Sequence, residues 1–216
     1  MNPALAGLID HAPTFPPARL PTDEALAEDR RARASGEAWL LGRLVWPADR
    51  IVELAGYDVR LSVVGGVADD PRVEAVETRW PDVPEFDGER FVEVPIDEEL
   101  DSNLVRVRQA GAFAKVRCGG EHTPTPAELA RFVRACAELE LPFKASAGLH
   151  HARRRGDAHG FLNLLAAASR PEEAESLLAD ERLSVDYAST HRERFRSFGS
   201  CSFAEPVAEL RALGML

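Results

Sequence analysis

Two lysines stand where lysines are usually expelled: Lys115 in Gly111-Ala-Phe-Ala-Lys-Val-Arg-Cys-Gly-Gly120, and Lys144 in Leu141-Pro-Phe-Lys-Ala-Ser-Ala-Gly-Leu-His-His151. Each lies in a short apolar run that reads as a buried strand and is followed by a glycine turn. One amphipathic helix separates them, which places them on adjacent parallel strands with both amines pointing the same way. Two like charges held close in a low-dielectric site depress the pKa of at least one lysine. A neutral amine is a nucleophile for carbonyl carbon. That is the arrangement a Schiff-base enzyme needs.

The elements that must position these lysines alternate along the chain. Short apolar runs at 7–11, 39–46, 57–64, 72–78, 91–96, 112–118, 142–149 and 194–198 read as strands. Helical patterns fall at 23–34, 48–55, 100–110, 126–139, 161–168 with 171–180, and 204–213. The best helix start is Thr125-Pro126, an N-cap followed by proline at the first helical position, leading to Leu129, Phe132, Val133 and Cys136 on one face. Helices after the third and fourth strands are poorly supported, and 69–71 and 81–88 look like loops. Eight strands with intervening helices predict a compact (β/α)8 TIM-type barrel occupying the whole chain, 1–216. An open doubly wound sheet is the rival, although no Gly-x-Gly-x-x-Gly fingerprint follows the first strand.

Strand parity assigns the inward side chains. Phe113, Lys115 and Arg117 face the axis on the sixth strand, and Lys144, Ser146 and Gly148 on the seventh. Glu93 faces in on the fifth, Arg43 on the second, and Asp10 ends the first. A charged interior of Asp10, Arg43, Glu93, Lys115, Arg117 and Lys144 is costly unless paired. It reads as a site at the carboxyl ends of the strands, where barrel enzymes work. The bland alternative is a structural ion-pair network.

Glycine turns at Gly119-Gly120, Gly148 and Gly199-Ser200 offer backbone amides to an anion, with Arg153-Arg154-Arg155 nearby. His11, His122, His150 and His151 could reach the same mouth, which permits a metal site completed by Asp10 or Glu93. No His-x-His or His-Glu-x-x-His spacing supports that reading. His159 is expected to cap the following helix, and His191 to lie on the surface.

Composition limits the partners. The net charge of −10 argues against a nucleic-acid surface, and no apolar run approaches the roughly eighteen residues of a membrane span. Cys118, Cys136 and Cys201 are odd in number and far apart, so neither disulfides nor zinc are expected. The expectation is a reduced, cytoplasmic protein with no cofactor and an anionic small-molecule substrate. A homo-oligomer is left open.

In this order the chain resembles the class I, Schiff-base aldolases of the deoxyribose-phosphate aldolase type. Leu8-Ile-Asp-His11 is similar to the Ile-Asp-His opening of that family's first strand, and Leu44-Val-Trp-Pro47 to its second, which ends in a Val-x-x-Pro turn. Phe113-Ala-Lys-Val-Arg-Cys-Gly119 stands where the family has Lys-Thr-Ser-Thr-Gly, and Phe143-Lys-Ala-Ser-Ala-Gly148 resembles its Lys-Ala-Ser-Gly-Gly. Arg196-Ser-Phe-Gly-Ser-Cys-Ser202 is similar to its terminal phosphate turn. The resemblance implies an imine on Lys115, with Lys144 lowering that lysine's pKa. Arg117-Cys118 replaces hydroxyl residues beside the imine lysine, and Leu149-His150-His151 replaces Ile-Arg-Thr. The family's fourth-strand acid/base aspartate has Glu74 and Glu77 as its nearest counterparts here.

Three functions compete at this stage. The first is an imine-forming lyase using Lys115, Lys144, Asp10 and Glu93 or Glu77, with Arg43, Arg117, Ser146, Gly119, Gly120, Gly148, His150, His151, Gly199 and Ser200 binding substrate. The second is metal-assisted lyase or isomerase chemistry through His122, His150 and His151. The third is a non-catalytic barrel that binds an anionic metabolite.

Overall fold

The computed structural model describes residues 2–184 and 192–216, so His191 lies outside the described residues. Eight parallel strands close into a barrel in chain order. They are β1 (Ile9–His11), β2 (Leu41–Pro47), β3 (Leu61–Val64), β4 (Val73–Arg79), β5 (Glu89–Glu93), β6 (Phe113–Arg117), β7 (Phe143–Ser146) and β8 (Phe195–Ser200). Closure pairs β1 with β8, setting Ile9 opposite Phe198, Asp10 opposite Gly199 and His11 opposite Ser200. The fold is a compact (β/α)8 barrel of the TIM type. The open-sheet alternative, which would leave β8 at an edge, is excluded.

Helices α1 (Thr22–Arg33), α2 (Leu100–Gln109), α3 (Pro126–Glu138), α4 (Phe161–Ser169), α5 (Ala174–Ala179) and α6 (Ala204–Ala212) surround the strands. The N-terminus of α3 forms a capping box. The Thr125 hydroxyl accepts from the Glu128 amide at 3.2 Å, and the Glu128 carboxylate accepts from the Thr125 amide at 2.7 Å. Leu129, Phe132, Val133 and Cys136 are all buried on the barrel-facing side of α3. Phe132 meets Phe143 edge-on at 5.3 Å, so the outward face of β7 is sealed by an aromatic pair.

Around β3 and β4 the barrel is trimmed. Both are followed by loops, and 48–55, expected as an α-helix, is a 3-10 helix at Ala48–Leu54. Its adjacent β-branched residues, Ile51 and Val52, disfavour an α-helical turn. The outward residues Leu44, Trp46, Leu61, Val63 and Val76 pack in one cluster with Ala25 and Leu26 of α1. One helix and the loops thus cover three strands.

Two boundary shifts bear on the site. Strand β5 was expected at 91–96 but spans Glu89–Glu93, because Pro95 has no N–H to extend the ladder. Strand β8 was expected to stop at 198 but continues through Gly199 and Ser200, which pair with Asp10 and His11.

Candidate active site

Lys115 and Lys144 are register partners in the β6–β7 ladder, and Glu93 is the partner of Lys115 in β5–β6. The Lys144 ammonium lies 2.7 Å from Asp10 Oδ2 and 2.6 Å from Glu77 Oε1. Lys115 Nζ lies 3.1 Å from Glu77 Oε2 and 3.2 Å from Glu93 Oε2. One carboxylate, Glu77, therefore bridges the two lysines. Ser62 donates to Glu77 Oε1 and Ser197 to Asp10 Oδ2, each at 2.7 Å. The amide of Arg43 donates to Asp10 Oδ1 at 2.8 Å. The Phe91 ring lies 5.4 Å from Lys144 Nζ, adding a cation–π contact from within the barrel. Glycine at 42 leaves room for this carboxylate, since a Cβ there would stand 2.3 Å from Asp10 Oδ1.

The electrostatics follow from burial and pairing. Burial pulls the Lys144 pKa down, but the charges of Asp10 and Glu77 outweigh it and hold the pKa above the ordinary lysine value. Burial pushes Glu77 up, and Lys144 and Lys115 together drive it well below the usual carboxylate range. Glu93 is lowered in the same way, burial being overcome by Lys115 and then Arg117. The expected direct repulsion between two adjacent ammonium groups is thus moderated by a carboxylate set between them. Lys144 is a fixed cation.

Above this floor opens a cavity of about 850 Å³ at the carboxyl ends of the strands. Lys115, Lys144, Glu77, Glu93, Arg117 and Ser146 line one side of it. Ser146 Oγ is buried there without a hydrogen-bond partner among the described residues. At the rim, Arg117 Nε lies 3.1 Å and Arg79 Nε 3.5 Å from Glu93 Oε1. Gly120, Gly148, His150, Gly199 and Ser200 also reach the cavity wall.

Several expected contributors lie elsewhere. Arg43 points to the amino-terminal end of the barrel, where it pairs with Glu74 at 3.0 Å and Glu89 at 2.6 Å. Its early place in β2 decides this: parity brings it inward, but at the wrong end. Glu74 is therefore engaged there, and Glu77 is the inward acid of β4. Gly119 and Gly148 serve backbone approach, since a Cβ on Gly119 would stand 2.9 Å from the Gly148 Cα. Gly199 and Ser200 are ladder residues, not a turn, and the Ser200 hydroxyl donates to the Ser202 carbonyl at 2.6 Å.

The histidines do not converge. His11 turns outward from β1 to Asp29 of α1 at 2.8 Å, and burial notwithstanding, Asp29 and Glu28 raise its pKa. His122 is exposed near Glu128. His150 pairs with Glu205 at 2.9 Å, and His151 lies 3.7 Å from Glu209, both carboxylates belonging to α6. Among the described residues no group of three or more His, Cys, Asp or Glu side chains could hold a metal ion. Gly160, not His159, is the N-cap of α4, and buried His159 donates from Nε2 to the Pro124 carbonyl at 2.6 Å. Arg155 is engaged with Glu209 at 2.8 Å, away from the mouth.

No family model matches this chain, and no curated protein does.

Sequence reasoning missed Ser62, Ser197, Gly42 and Arg79. Ser62 was open to discovery as the one polar residue in Leu61-Ser-Val-Val64. Ser197 and Gly42 matter only through Asp10, and nothing in the sequence ties them to it.

Proposed function

We propose that the protein is a Schiff-base-forming, aldolase-like carbon–carbon lyase acting on a small carbonyl compound, with the imine on Lys115. One observation carries the reading. Lys115 presents its amine at the floor of a large mouth cavity, with a carboxylate on each side and the fixed cation of Lys144 in the adjacent strand.

Lys115 attacks the carbonyl carbon as the free amine, its proton having passed to solvent in the open cavity, while Glu77 and Glu93 hold the nitrogen in place. The carbonyl oxygen gains a proton as the attacking nitrogen loses one, giving the neutral carbinolamine. The proton first released by Lys115 then lets that oxygen leave as water while the nitrogen lone pair closes the iminium. The iminium then accepts the electron pair of the carbon–carbon bond that breaks, as the hydroxyl of the departing fragment loses its proton and becomes a carbonyl. The resulting enamine is protonated on carbon and hydrolysed by water to free Lys115. Glu77, touching both lysines, is placed to shuttle protons during these steps. Lys144, itself anchored by Asp10, holds Glu77 in position.

The test is borohydride reduction in the presence of small aldehydes and ketones, followed by mass spectrometry. A reduced adduct on Lys115, lost in Lys115→Ala, is the expected result. Failure of every carbonyl to leave an adduct on Lys115 rejects the reading. A second reading, a non-catalytic binding barrel, draws on the full carboxylate complement of both lysines. It requires turnover to be absent as well as the adduct. The three buried free thiols fit a reducing, cytoplasmic compartment.

A further inference from the structure

We infer that the substrate is an uncharged, unphosphorylated aldehyde or ketone whose non-reacting end is apolar, seated against the carboxyl ends of β1–β3. The inference deepens the lyase reading and rests on it only for the reacting atom.

Charge is the first observation. The cations at the mouth are Lys115, Lys144, Arg117 and Arg79. Against them stand Glu77, Glu93 and Asp82 on the cavity wall and Asp10 beneath Lys144. Each of these cations already has a carboxylate against it: Lys144 on Asp10 and Glu77, Lys115 on Glu77 and Glu93, and Arg117 and Arg79 on Glu93. Among the described residues, a phosphate dianion would therefore have to displace an existing ion pair. The loop after β7, the other place for an anion, has α6 carboxylates against it: Glu205 on His150 and Glu209 on His151 and Arg155. A phosphate entering there must compete with carboxylates that already engage His150, His151 and Arg155.

Shape and polarity are the second. The Lys, Arg, Asp and Glu side chains of the lining come from β4–β7 and the loop after β4, whereas the opposite wall includes Ala12, Phe15, Val45 and Val64 from β2, β3 and the loop after β1, with Leu149 from the loop after β7. The cavity volume of about 850 Å³ far exceeds the needs of a two- or three-carbon carbonyl. Its unused part is apolar, and apolar walls recognise apolar bodies by excluding water from both.

Binding can be measured without the imine, using non-reacting alcohols and acids. Titrations monitored by protein NMR with 2-phenylethanol, 3-phenylpropanoate and glycerol 3-phosphate should give the order 2-phenylethanol, then 3-phenylpropanoate, then glycerol 3-phosphate. Phe15→Ala should weaken 2-phenylethanol by about tenfold, the scale of losing apolar contacts in a pocket. The conservative Val64→Thr should weaken it too. Tighter binding of glycerol 3-phosphate, or no binding of 2-phenylethanol at millimolar concentration, overturns the inference. In parallel, phenylacetaldehyde is offered under borohydride. If 2-phenylethanol binds but phenylacetaldehyde leaves no adduct on Lys115, the apolar subsite stands and the imine chemistry fails. An adduct with glycolaldehyde phosphate in preference to phenylacetaldehyde fails the subsite and keeps the imine.

Discussion

Glu77 Oε1 lies 2.6 Å from Lys144 Nζ, closer than either lysine lies to any other carboxylate oxygen, the next being Asp10 Oδ2 at 2.7 Å from Lys144. Because the other Glu77 oxygen touches Lys115, the acid from β4 links the two basic strands into one unit. Buried ions are tolerated only when neutralised and fully hydrogen-bonded, and Ser62 and Ser197 complete that shell.

Lys115→Ala should reduce turnover and adduct formation to background while leaving the fold intact. Its removal still leaves Glu77 paired with Lys144 and Glu93 with Arg117. Circular dichroism and activity on one sample check this. Retention of more than a small fraction of activity assigns the nucleophile to another residue.

Lys144→Leu should be far more damaging to stability, by about 3–5 kcal/mol, since Asp10 and Glu77 would both lose a buried partner. Adding Asp10→Asn should recover part of that loss. Denaturant titration of the two single variants and the double gives the coupling, and strictly additive losses would show that the pair does not interact.

Glu77→Gln should lower turnover by about 10²–10⁴-fold if the acid shuttles protons. The same variant tests pH dependence. The folded-state pKa of Glu77 lies below its ordinary 4.5, so its ionised form stabilises the fold above that pH, and the contribution is lost as pH falls toward the folded value. Lys144 behaves oppositely: its stabilisation is present below 10.5 and lost as pH rises through its raised folded value. Wild-type stability should therefore fall below about pH 4.5 more steeply than that of Glu77→Gln. Equal slopes in the two proteins would remove Glu77 as the cause.

Gly42→Ala should cost about 1–3 kcal/mol, because the new methyl must displace the Asp10 carboxylate or the Gly7 carbonyl, 3.1 Å away. It should also reduce turnover by loosening Lys144. Unchanged melting and activity would show that Asp10 does not rest against residue 42.

By itself the sequence favoured the barrel over an open sheet and determined the adjacency of Lys115 and Lys144 and the inward direction of Glu93 and Ser146. Those follow from periodicity: strand parity fixes which face a side chain joins, and one helix between two strands makes them neighbours. It did not determine depth along the barrel axis. Arg43 and Asp10 both point inward, yet Arg43 serves the amino-terminal end while Asp10 supports Lys144, and parity is blind to that difference. Nor could it foresee that His11 turns to α1, that Gly199 belongs to β8, or that α6 sets Glu205 and Glu209 against the loop histidines. Only closure of the barrel decided these matters. Closure sets the stagger between strands far apart in the chain, and that stagger chooses which charges meet.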